Sequence, residues 1–259
     1  MSQVPLATMR VLKLSTKPAP GAPMLPCDRL ILHRGFGIQG DHNAGSGSPR
    51  QVLIVDLRSL NDFGLQPGDL HENILVDADV ETVPSGHILQ IGSALIRPTF
   101  HCEPCAKLER LRKGLAKQLI GQRGILGMVV RDGTVAIGDS VTATKHTLPA
   151  LPDDAKGRFD EFVARIPAGS VVRTSDLLLA MGVAKAYYRA IPAFLKKAPP
   201  ELPVHRVVAI DGRLFTRYLP KQAEALAAEG VVFTAGKVTN QFLWHASHFH
   251  ELEAFGAKD

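Results

Sequence analysis

The sequence has little cysteine, few aromatic residues and no long hydrophobic run. Only three of its 259 residues are cysteines, and a low, odd number without a secretion signal indicates free thiols in a reducing compartment. No run of about eighteen apolar residues occurs, so we expect no transmembrane helix and no membrane partner. The N-terminus lacks the basic-then-apolar order of a signal peptide. We therefore expect a cytoplasmic protein, associated with the nucleoid if it binds DNA.

The positive charge is concentrated in one part of the chain. The net charge is +5, and residues 165–221 alone hold ten Lys and Arg against three acidic residues. A local excess of this kind is typical of proteins that bind the phosphate backbone of nucleic acids. A basic face that only keeps the protein in solution is the alternative, and charge alone does not decide between them.

The first 145 residues have the pattern of a β-barrel or curved sheet. Short apolar runs alternate with Gly, Pro and Asp, which favours strands over helices. A helix is predicted at 106–121 from its near-helical apolar spacing, and a flexible loop at 45–50. The predicted strands lie at 51–57, 73–76, 88–92, 94–100, 124–130 and 134–139.

After the Pro- and Asp-containing segment 145–157, the sequence pattern changes from strands to helices. Helices are predicted at 159–166, from Ser175 to Gly182, over 185–199, where Pro192 would kink the helix or limit its start, and at 221–229, followed by a short strand. Two helices around a glycine turn, with basic residues on the second, suggest a helix-turn-helix. We predict a domain at 1–146, a linker at 147–157, a second domain at 158–235 and a helical tail at 236–259.

The tail holds three histidines, His245, His248 and His250, close to Trp244. Histidines at this spacing can ligate a metal ion. Packing of the tail through its apolar residues is the alternative, and it is favoured here.

The motif His101-Cys102-Glu103-Pro104-Cys105 directly follows a predicted strand. Its C-x-x-C spacing can provide half of a zinc site, a redox pair, two buried inert thiols or one reactive thiolate. Zinc needs two further ligands at suitable spacing, and a redox motif normally lies in a βαβ unit. Five Lys and Arg residues follow between 107 and 117, and such cations stabilise a thiolate or hold an anionic ligand. A reactive thiolate is therefore favoured.

The N-terminal half resembles the MOSC domain, named for the C-terminal region of molybdenum-cofactor sulfurases. The resemblance covers about residues 8–143. It implies a β-barrel fold and a cysteine that binds sulfur or ligates molybdenum, which falls at Cys105, whereas Cys102 lies where the family varies. It also implies the molybdenum cofactor (molybdopterin), and some members reduce N-hydroxylated bases. The matching segments are Gly37–His42, Pro49–Val52, Pro67–Asp69, Glu72–Ile74, Gly86, Ile91-Gly92, Pro104-Cys105, Arg123-Gly124, Gly133 and Gly138-Asp139.

Several polar residues of these segments are candidates for binding the cofactor. Gly40 permits a tight turn that can direct the next two side chains into a cleft, although an Asp in a turn often caps its own backbone. Arginine is a natural partner of phosphate or molybdate oxygens, but surface arginines are common. The candidates are Asp41, His42, Arg50, Glu72, Asn73, Lys107 and Arg123, and for Glu72 and Asn73 a purely structural role in holding a loop is slightly favoured.

Residues 158–233 resemble the DNA-binding domain of the O6-alkylguanine-DNA alkyltransferases and the alkyltransferase-like proteins. The resemblance is carried by Ile166–Val172, Pro203–Val208, Asp211-Gly212, Tyr218 and Glu229-Gly230. It implies a mainly α-helical, winged helix-turn-helix fold. The alkyltransferases have their acceptor cysteine where this chain has Val204. We therefore expect no alkyl transfer, as in the alkyltransferase-like proteins, which bind lesions without repairing them.

That family rotates the target nucleotide out of the duplex and fills the gap with an arginine, which falls at Arg189 if one residue is inserted before it. The phosphate-rotating tyrosine of the family falls at Thr174, which lacks an aromatic ring. Tyr187 and Tyr188 can compensate by stacking, or they can pack in the core. The candidate DNA-binding residues are Arg173, Thr174, Ser175, Tyr187, Tyr188, Arg189, His205, Arg206 and Tyr218, of which Tyr218 would form a pocket wall and His205 and Arg206 would be structural or line the pocket.

Three functions are compatible with this combination. The leading hypothesis is a DNA-binding MOSC protein that flips modified bases in double-stranded DNA and processes them at Cys105, for example by reduction. A lesion sensor without enzymatic activity is the second hypothesis, and a sulfur carrier or transferase for the molybdenum cofactor is the third. The first and third also require a redox or sulfur-donor protein as a partner.

Overall fold

The computed structural model describes residues 9–80 and 82–250. The chain forms two compact units, of which the first ends at Leu151 and the second begins at Pro152. No helix in the described ranges is long and apolar enough to cross a membrane.

The N-terminal unit is built mainly from strands. Its helices are α1 (Leu57–Asp62), α2 (Leu108–Leu111) and α3 (Leu115–Gln118). Its strands are β1 (Met9–Thr16), β2 (Leu25–Cys27), β3 (Arg29–His33), β4 (Gly37–Ile38), β5 (Val52–Asp56), β6 (Ile74–Val76), β7 (His87–Ile91), β8 (Ala94–His101), β9 (Ile125–Arg131), β10 (Gly133–Ala136) and β11 (Ser140–Thr147).

Seven of these strands close into a barrel. Their order is β11-β7-β8-β9-β5-β6-β1, and β1 pairs back to β11 through Met9 and Val141. All of these pairings are antiparallel except β5–β6. Closure removes the unpaired edges that an open sheet would expose. The predicted mainly-β barrel is confirmed, and each predicted strand of this unit lies within a few residues of an observed one.

The barrel interior is filled with aliphatic side chains. Strands β5 and β6 are buried at every position, while β3 alternates exposed and buried residues. Uniform burial explains why β5 appears in the sequence as an unbroken apolar run. The core includes Val11, Leu32, Ile54, Ile74, Leu89, Ile96, Val129 and Val141.

The single helix predicted at 106–121 is wrong. Two short helices occupy this segment, and Gly114 between them has a left-handed φ of 83°. A residue with positive φ cannot continue an α-helix. The apolar residues of α2 and α3 fit nearly the same helical repeat. The periodicity of the sequence therefore does not reveal the break between the two helices.

The C-terminal unit contains short helices and two small sheets. Its helices are α4 (Ala155–Arg165), α5 (Thr174–Ala180), α6 (Ile191–Lys196) and α7 (Gln222–Ala228), and its strands are β12 (Val172–Arg173), β13 (Val207–Val208), β14 (Phe233–Thr234) and β15 (Lys237–Val238). The pair β12–β13 is parallel, and β14–β15 is an antiparallel hairpin. The mainly helical character is as predicted, and the winged helix-turn-helix arrangement stays a prediction.

Three local predictions for this unit were wrong. Helix α5 begins at Thr174, so Ser175 lies in its first turn and does not cap it. The single helix expected over 185–199 is a 3-10 helix at Lys185–Arg189 followed by α6. Pro192 lies in the first turn of α6, where proline is tolerated, so of its two expected effects it limits the start of the helix. The helical tail is, over 237–250, strand β15 and two short 3-10 helices, while 251–259 lies outside the described residues.

The tail packs against the helices of its own unit. Phe249 is fully buried, and its ring centroid lies 5.1 Å from that of Phe162 on α4. The guanidinium of Arg165 donates to the carbonyl of Phe249 at 2.9 Å. The packing role favoured from the sequence agrees with these contacts, and the described residues contain no cluster of three potential metal ligands.

Candidate thiol site and nucleic-acid interface

Cys105 lies in the loop between β8 and α2. The loop is fixed at both ends: the N–H of Cys102 donates to the carbonyl of Gly124 at 2.9 Å, and the N–H of Leu108 donates to the carbonyl of Cys105 at 3.0 Å. The barrel therefore holds the C-x-x-C segment in place. Cys102 is 3% exposed, while Cys105 is half-buried, so only Cys105 is accessible to a ligand.

Lys17 lies close to Cys105 and to a second lysine, Lys107. Lys17, at the end of β1, is buried, and its ammonium interacts with Lys107, Asp41 and Cys105. Burial lowers the pKa of Lys17, and the positive charge and hydrogen bond of Lys107 lower it further, while Asp41 and Cys105 act in the opposite direction. Two lysines held this close together favour the binding of negative charge, whether a thiolate or an anionic ligand.

Cys102 has a different environment. Burial raises the pKa of its thiol, against the influence of Arg123 and Arg50. An Arg50 nitrogen lies 3.9 Å from its Sγ, and the same guanidinium forms an ion pair with Glu103 at 3.4 Å. Cys102 is therefore a neutral, packed thiol at pH 7, in agreement with the assignment of the reactive role to Cys105.

Asp41 and Asn73 hold loops together. Asp41 accepts hydrogen bonds from the N–H of Lys17 at 2.8 Å, the N–H of Asn43 at 2.7 Å and the Asn73 amide at 2.9 Å. The side-chain oxygen of Asn73, Oδ1, accepts a hydrogen bond from the N–H of Leu53 at 3.0 Å. Both side chains are buried and engaged within the protein. His42 beside them is exposed and donates its N–H to the carbonyl of Lys17 at 2.6 Å.

Glu72 and Arg123 are buried beneath the thiol loop. Glu72 accepts from the N–H of Gly68, its Oε2 has no hydrogen-bond partner in the described structure, and burial raises its pKa. Arg123 donates to the carbonyls of Glu103 at 2.6 Å and Leu70 at 3.3 Å. Arg123 therefore connects the Cys105 loop to the loop after α1.

A cleft of about 440 Å³ opens beside these residues. Of the residues predicted to bind a cofactor, only Lys107 lines it. His71 and Lys17 also line it, and neither was identified from the sequence. His71 stands between two matched segments, so its position was a signal that could have been used, whereas Lys17 follows an ordinary strand. The lining residues are Lys17, Gly21, Pro23, Met24, Gly68, Asp69, His71, Lys107, Leu108, Arg110 and Leu111.

The chemistry of the cleft is compatible with a thiolate-ligated cofactor that carries negative charge. Cys105 does not itself line the cleft, but it interacts with Lys17, which does. It would be the single protein ligand of such a group, because the described residues contain no cluster of three His, Cys, Asp or Glu able to hold a metal alone. Lys17, Lys107 and Arg110 supply positive charge, and Glu72 Oε2 is a buried polar atom that still lacks a partner. The residues therefore fit such a group.

In the C-terminal unit, the predicted intercalating residue is on the surface. Arg189 ends the 3-10 helix Lys185–Arg189, and both of these cations are exposed. Tyr187 and Tyr188 are half-buried. Burial raises the pKa of Tyr188, whose hydroxyl is hydrogen-bonded to Ser175, so this tyrosine joins the 3-10 helix to the start of α5.

Thr174 points into the unit. Its side chain is 2% exposed, and its hydroxyl donates to the carbonyl of Val208 at 2.6 Å. This bond reinforces the β12–β13 pair and leaves the hydroxyl engaged. Arg173 is half-buried and donates to the Asn240 side chain at 2.9 Å.

Glu229 is the centre of an ionic cluster next to Val204. Its carboxylate accepts from His205 Nε2 at 2.7 Å, from Arg206 at 2.7–3.0 Å and from the N–H of Gly169 at 3.1 Å. Although burial opposes it, these hydrogen bonds, with those of Arg206 and His205 the strongest, lower the pKa of Glu229 to about 2. His205 and Arg206 thus hold the Glu229 carboxylate, which is compatible with the structural role considered from the sequence. The neighbouring residue, Val204, has no nucleophilic group.

Tyr218 lies within a group of cations. The Lys196 ammonium is 5.3 Å, and the Arg217 guanidinium 5.9 Å, from the centre of its ring. Lys196 and Arg217 are themselves exposed. This arrangement presents an aromatic ring with positive charge around it, which suits contact with bases and phosphates.

Two domain families match the sequence. The MOSC domain matches residues 42–142, and the DNA-binding domain of the 6-O-methylguanine DNA methyltransferases matches residues 156–231. The chain therefore carries a MOSC domain followed by an alkyltransferase-like DNA-binding domain, with Val204 in place of the acceptor cysteine. The combination indicates a DNA-related function. No curated protein matches the chain at a significant level.

Several solved structures are similar to parts of the chain. The YUAD protein from Bacillus subtilis is 20% identical, with a TM-score of 0.48, over 55% of this chain and 97% of that chain. YiiM from Escherichia coli is 20% identical, with a TM-score of 0.43, over 70% of this chain and 89% of that chain. Atl1 from S. pombe, solved in complex with damaged DNA containing O6-carboxymethylguanine, is 23% identical, with a TM-score of 0.31, over 36% of this chain and 96% of that chain.

Proposed function

We propose that this protein binds double-stranded DNA through its C-terminal unit, rotates a modified base out of the helix, and reduces N-hydroxylated bases at the Cys105 site. The observation that carries the proposal is the exposed, cationic 3-10 helix ending at Arg189, in a unit that matches a DNA-binding domain. The chemical part depends on Cys105 and its lysines in the MOSC domain.

The DNA-binding part uses exposed charge and aromatic rings. Lys185, Arg189, Lys196 and Arg217 are exposed and would neutralise phosphates. Arg189 would fill the gap left by the rotated nucleotide, because its long, exposed side chain ends the surface helix and has no hydrogen-bond or ion-pair partner among residues 9–80 and 82–250. Tyr218 would form a wall of the pocket.

The chemical part is a two-electron reduction. The base N–OH bond breaks, the nitrogen keeps its link to the ring as an amino group, and the oxygen leaves as water after uptake of two protons and two electrons from a redox-donor protein. A molybdenum cofactor, when bound, would supply a centre that passes electrons in pairs. Cys105 would hold it, and Lys17, Lys107 and Arg110 would bind its negative charge.

The DNA part is tested by affinity for two duplexes that differ only in one N-hydroxylated or O6-alkylated base. Arg189→Ala should weaken binding of the lesion duplex by about tenfold or more, because a lost arginine contact typically costs about 1–3 kcal/mol. The preference for the lesion should shrink as well. Arg213→Ala is a matched control, since Arg213 is exposed but paired with Asp211 at 2.6 Å. Equal loss in both variants would contradict a special role of Arg189.

The chemical part is tested by elemental and pterin analysis of the protein purified from cells that make the cofactor. The wild type should contain molybdenum, Cys105→Ser should lose it, and Cys27→Ser should keep it. Protein without molybdenum or pterin, together with unchanged activity of Cys105→Ser, would overturn this half of the proposal.

Val204 favours a second candidate function, a lesion sensor without chemistry of its own. Lesion binding that depends on Arg189, with no conversion of the base and no metal, would be the result expected of a sensor. The third hypothesis, sulfur transfer to the molybdenum cofactor, predicts a persulfide on Cys105. Salt-sensitive binding of damaged DNA would argue against it.

A further inference from the structure

His71 has a backbone conformation that is uncommon for a residue other than glycine. Its φ is 63°, and Ala235 is the only other non-glycine residue with positive φ in the described ranges. L-residues other than glycine are disfavoured in this region because the side chain crowds the backbone, although histidine occupies it more often than most. Such strain persists only where the surroundings impose it, and it is concentrated at functional sites.

The surroundings of His71 do impose this conformation. The N–H of His71 donates to the carbonyl of Gly68 at 3.0 Å, and the preceding carbonyl, of Leu70, accepts from Arg123 at 3.3 Å. The next residue, Glu72, accepts from the N–H of Gly68. Glycine would satisfy the same turn without strain, so the turn by itself gives no reason for a histidine.

The imidazole lines the cleft, and its two nitrogens differ. Nδ1 is buried and has no hydrogen-bond partner among the described residues. Burial lowers the pKa of His71, and Lys17, Lys107 and Arg123 lower it further, against the influence of Asp69. The ring is therefore neutral at pH 7. A neutral imidazole carries one proton, and a proton on Nε2 gives the ring a donor other than the buried Nδ1.

We propose that His71 is a ligand-positioning residue of the cleft that Lys17 and Lys107 line, and that its Nε2–H donates a hydrogen bond to an oxyanion held by these two lysines beside Cys105. The proposal rests on the cleft being the ligand site described under the proposed function. A neutral donor suits this position, because it adds a directed hydrogen bond where Lys17, Lys107 and Arg110 already supply positive charge. The strained backbone is then the consequence of keeping the imidazole in the cleft.

The proposed role of His71 can be tested because replacing the histidine should change thermal stability and oxyanion binding in opposite directions. His71→Gly should raise the Tm of the N-terminal unit by about 2–4 °C, because glycine relieves the left-handed strain. The same variant should bind oxyanions about tenfold more weakly, the usual effect of losing a hydrogen bond to an ionised acceptor. His71→Asn should recover part of the binding, because asparagine tolerates positive φ and keeps an N–H donor. Ala235→Gly is the control for strain relief elsewhere, and should leave oxyanion binding unchanged.

Binding is measured with inorganic phosphate and, in parallel, molybdate, by the protection of Cys105 against iodoacetamide, read by mass spectrometry of the intact chain. A phosphate-selective result would assign the hydrogen bond to a phosphate group, and a molybdate-selective one to a metal oxo group; either supports the proposal. The proposal is overturned if His71→Gly has a lower Tm than the wild type, or if the anion concentration that half-protects Cys105 is the same in that variant. It is also overturned if neither anion protects Cys105 in the wild-type protein. Molybdenum content and base reduction do not enter this test, so its failure is distinguishable from that of the proposed function.

Discussion

Two cysteines three positions apart have opposite environments. Cys102 is packed beneath Arg50 at the end of β8, while Cys105 is half-buried beside the ammonium of Lys17. The sequence showed the C-x-x-C spacing and the cations that follow it, and it favoured Cys105. It did not show Lys17, which is 88 positions away in the chain and reaches Cys105 only because β1 closes the barrel.

The two thiols should therefore react at very different rates. Cys105 should be alkylated by iodoacetamide at least about tenfold faster than Cys102 at pH 7, because Cys102 is buried and its pKa is raised. Site-resolved mass spectrometry over time measures both rates in one sample. Equal rates, or faster labelling of Cys102, would contradict the assignment of the reactive thiol.

Val204 occupies the position at which the alkyltransferases that this chain resembles have their acceptor cysteine. His205 is already oriented by Glu229 at 2.7 Å, which is the arrangement of a base beside a nucleophile. We expect wild-type protein to take no methyl group from a duplex with O6-methylguanine, and Val204→Cys to take one, seen as a methyl increment in the intact mass. The double variant Val204→Cys/His205→Ala should react much more slowly. Methyl transfer to the wild-type chain would contradict the assignment.

Among the elements, the ends of the helices were the hardest to predict. Gly114 divides 106–121 into α2 and α3, and Ala190 separates the 3-10 helix Lys185–Arg189 from α6, whose first turn contains Pro192. In both segments the apolar pattern continues across the break, so periodicity predicts one helix where the backbone forms two. The strands of the barrel were easier, because each is bounded by glycine, proline or aspartate.

The segment from Val204 to Arg206 is joined to the end of α7 by the carboxylate of Glu229. The pKa of this group is about 2, against an ordinary value of 4.5, so its ionised form stabilises the folded state. This stabilisation is complete above about pH 4.5 and is lost as the pH falls toward 2. The shift corresponds to about 3 kcal/mol.

Glu229→Gln should accordingly lower the free energy of unfolding by about 3 kcal/mol at pH 7. The difference between wild type and variant should shrink between pH 4.5 and 2. Urea unfolding followed at several pH values measures it. Glu224→Gln, on the exposed side of the same helix, should have little effect, and a pH-independent difference would contradict the ionic origin.

At the scale of the whole molecule, the order of the two units and their main secondary structure were predictable from the sequence. The side-chain contacts within each site were not. The side chains of the motif residues Asp41 and Asn73 form hydrogen bonds that hold loops together, and the side chain of Thr174 faces the interior of its unit. Motifs indicate which residues a fold needs, but not whether a side chain faces a ligand or a neighbouring loop. His71 and Lys17 face the cleft through backbone geometry and barrel closure, which local patterns do not report.

The most direct test of the account is the conversion of one N-hydroxylated adenine within a duplex to adenine, in a single turnover with cofactor-loaded protein and a chemical reductant. Wild-type protein should convert the base. Cys105→Ser should still bind the lesion duplex but leave the base unchanged, and Arg189→Ala should convert the free base but not the base in DNA. Conversion by Cys105→Ser at the wild-type rate, or conversion in DNA that is indifferent to Arg189, would contradict a protein that presents a base with one unit and reduces it with the other.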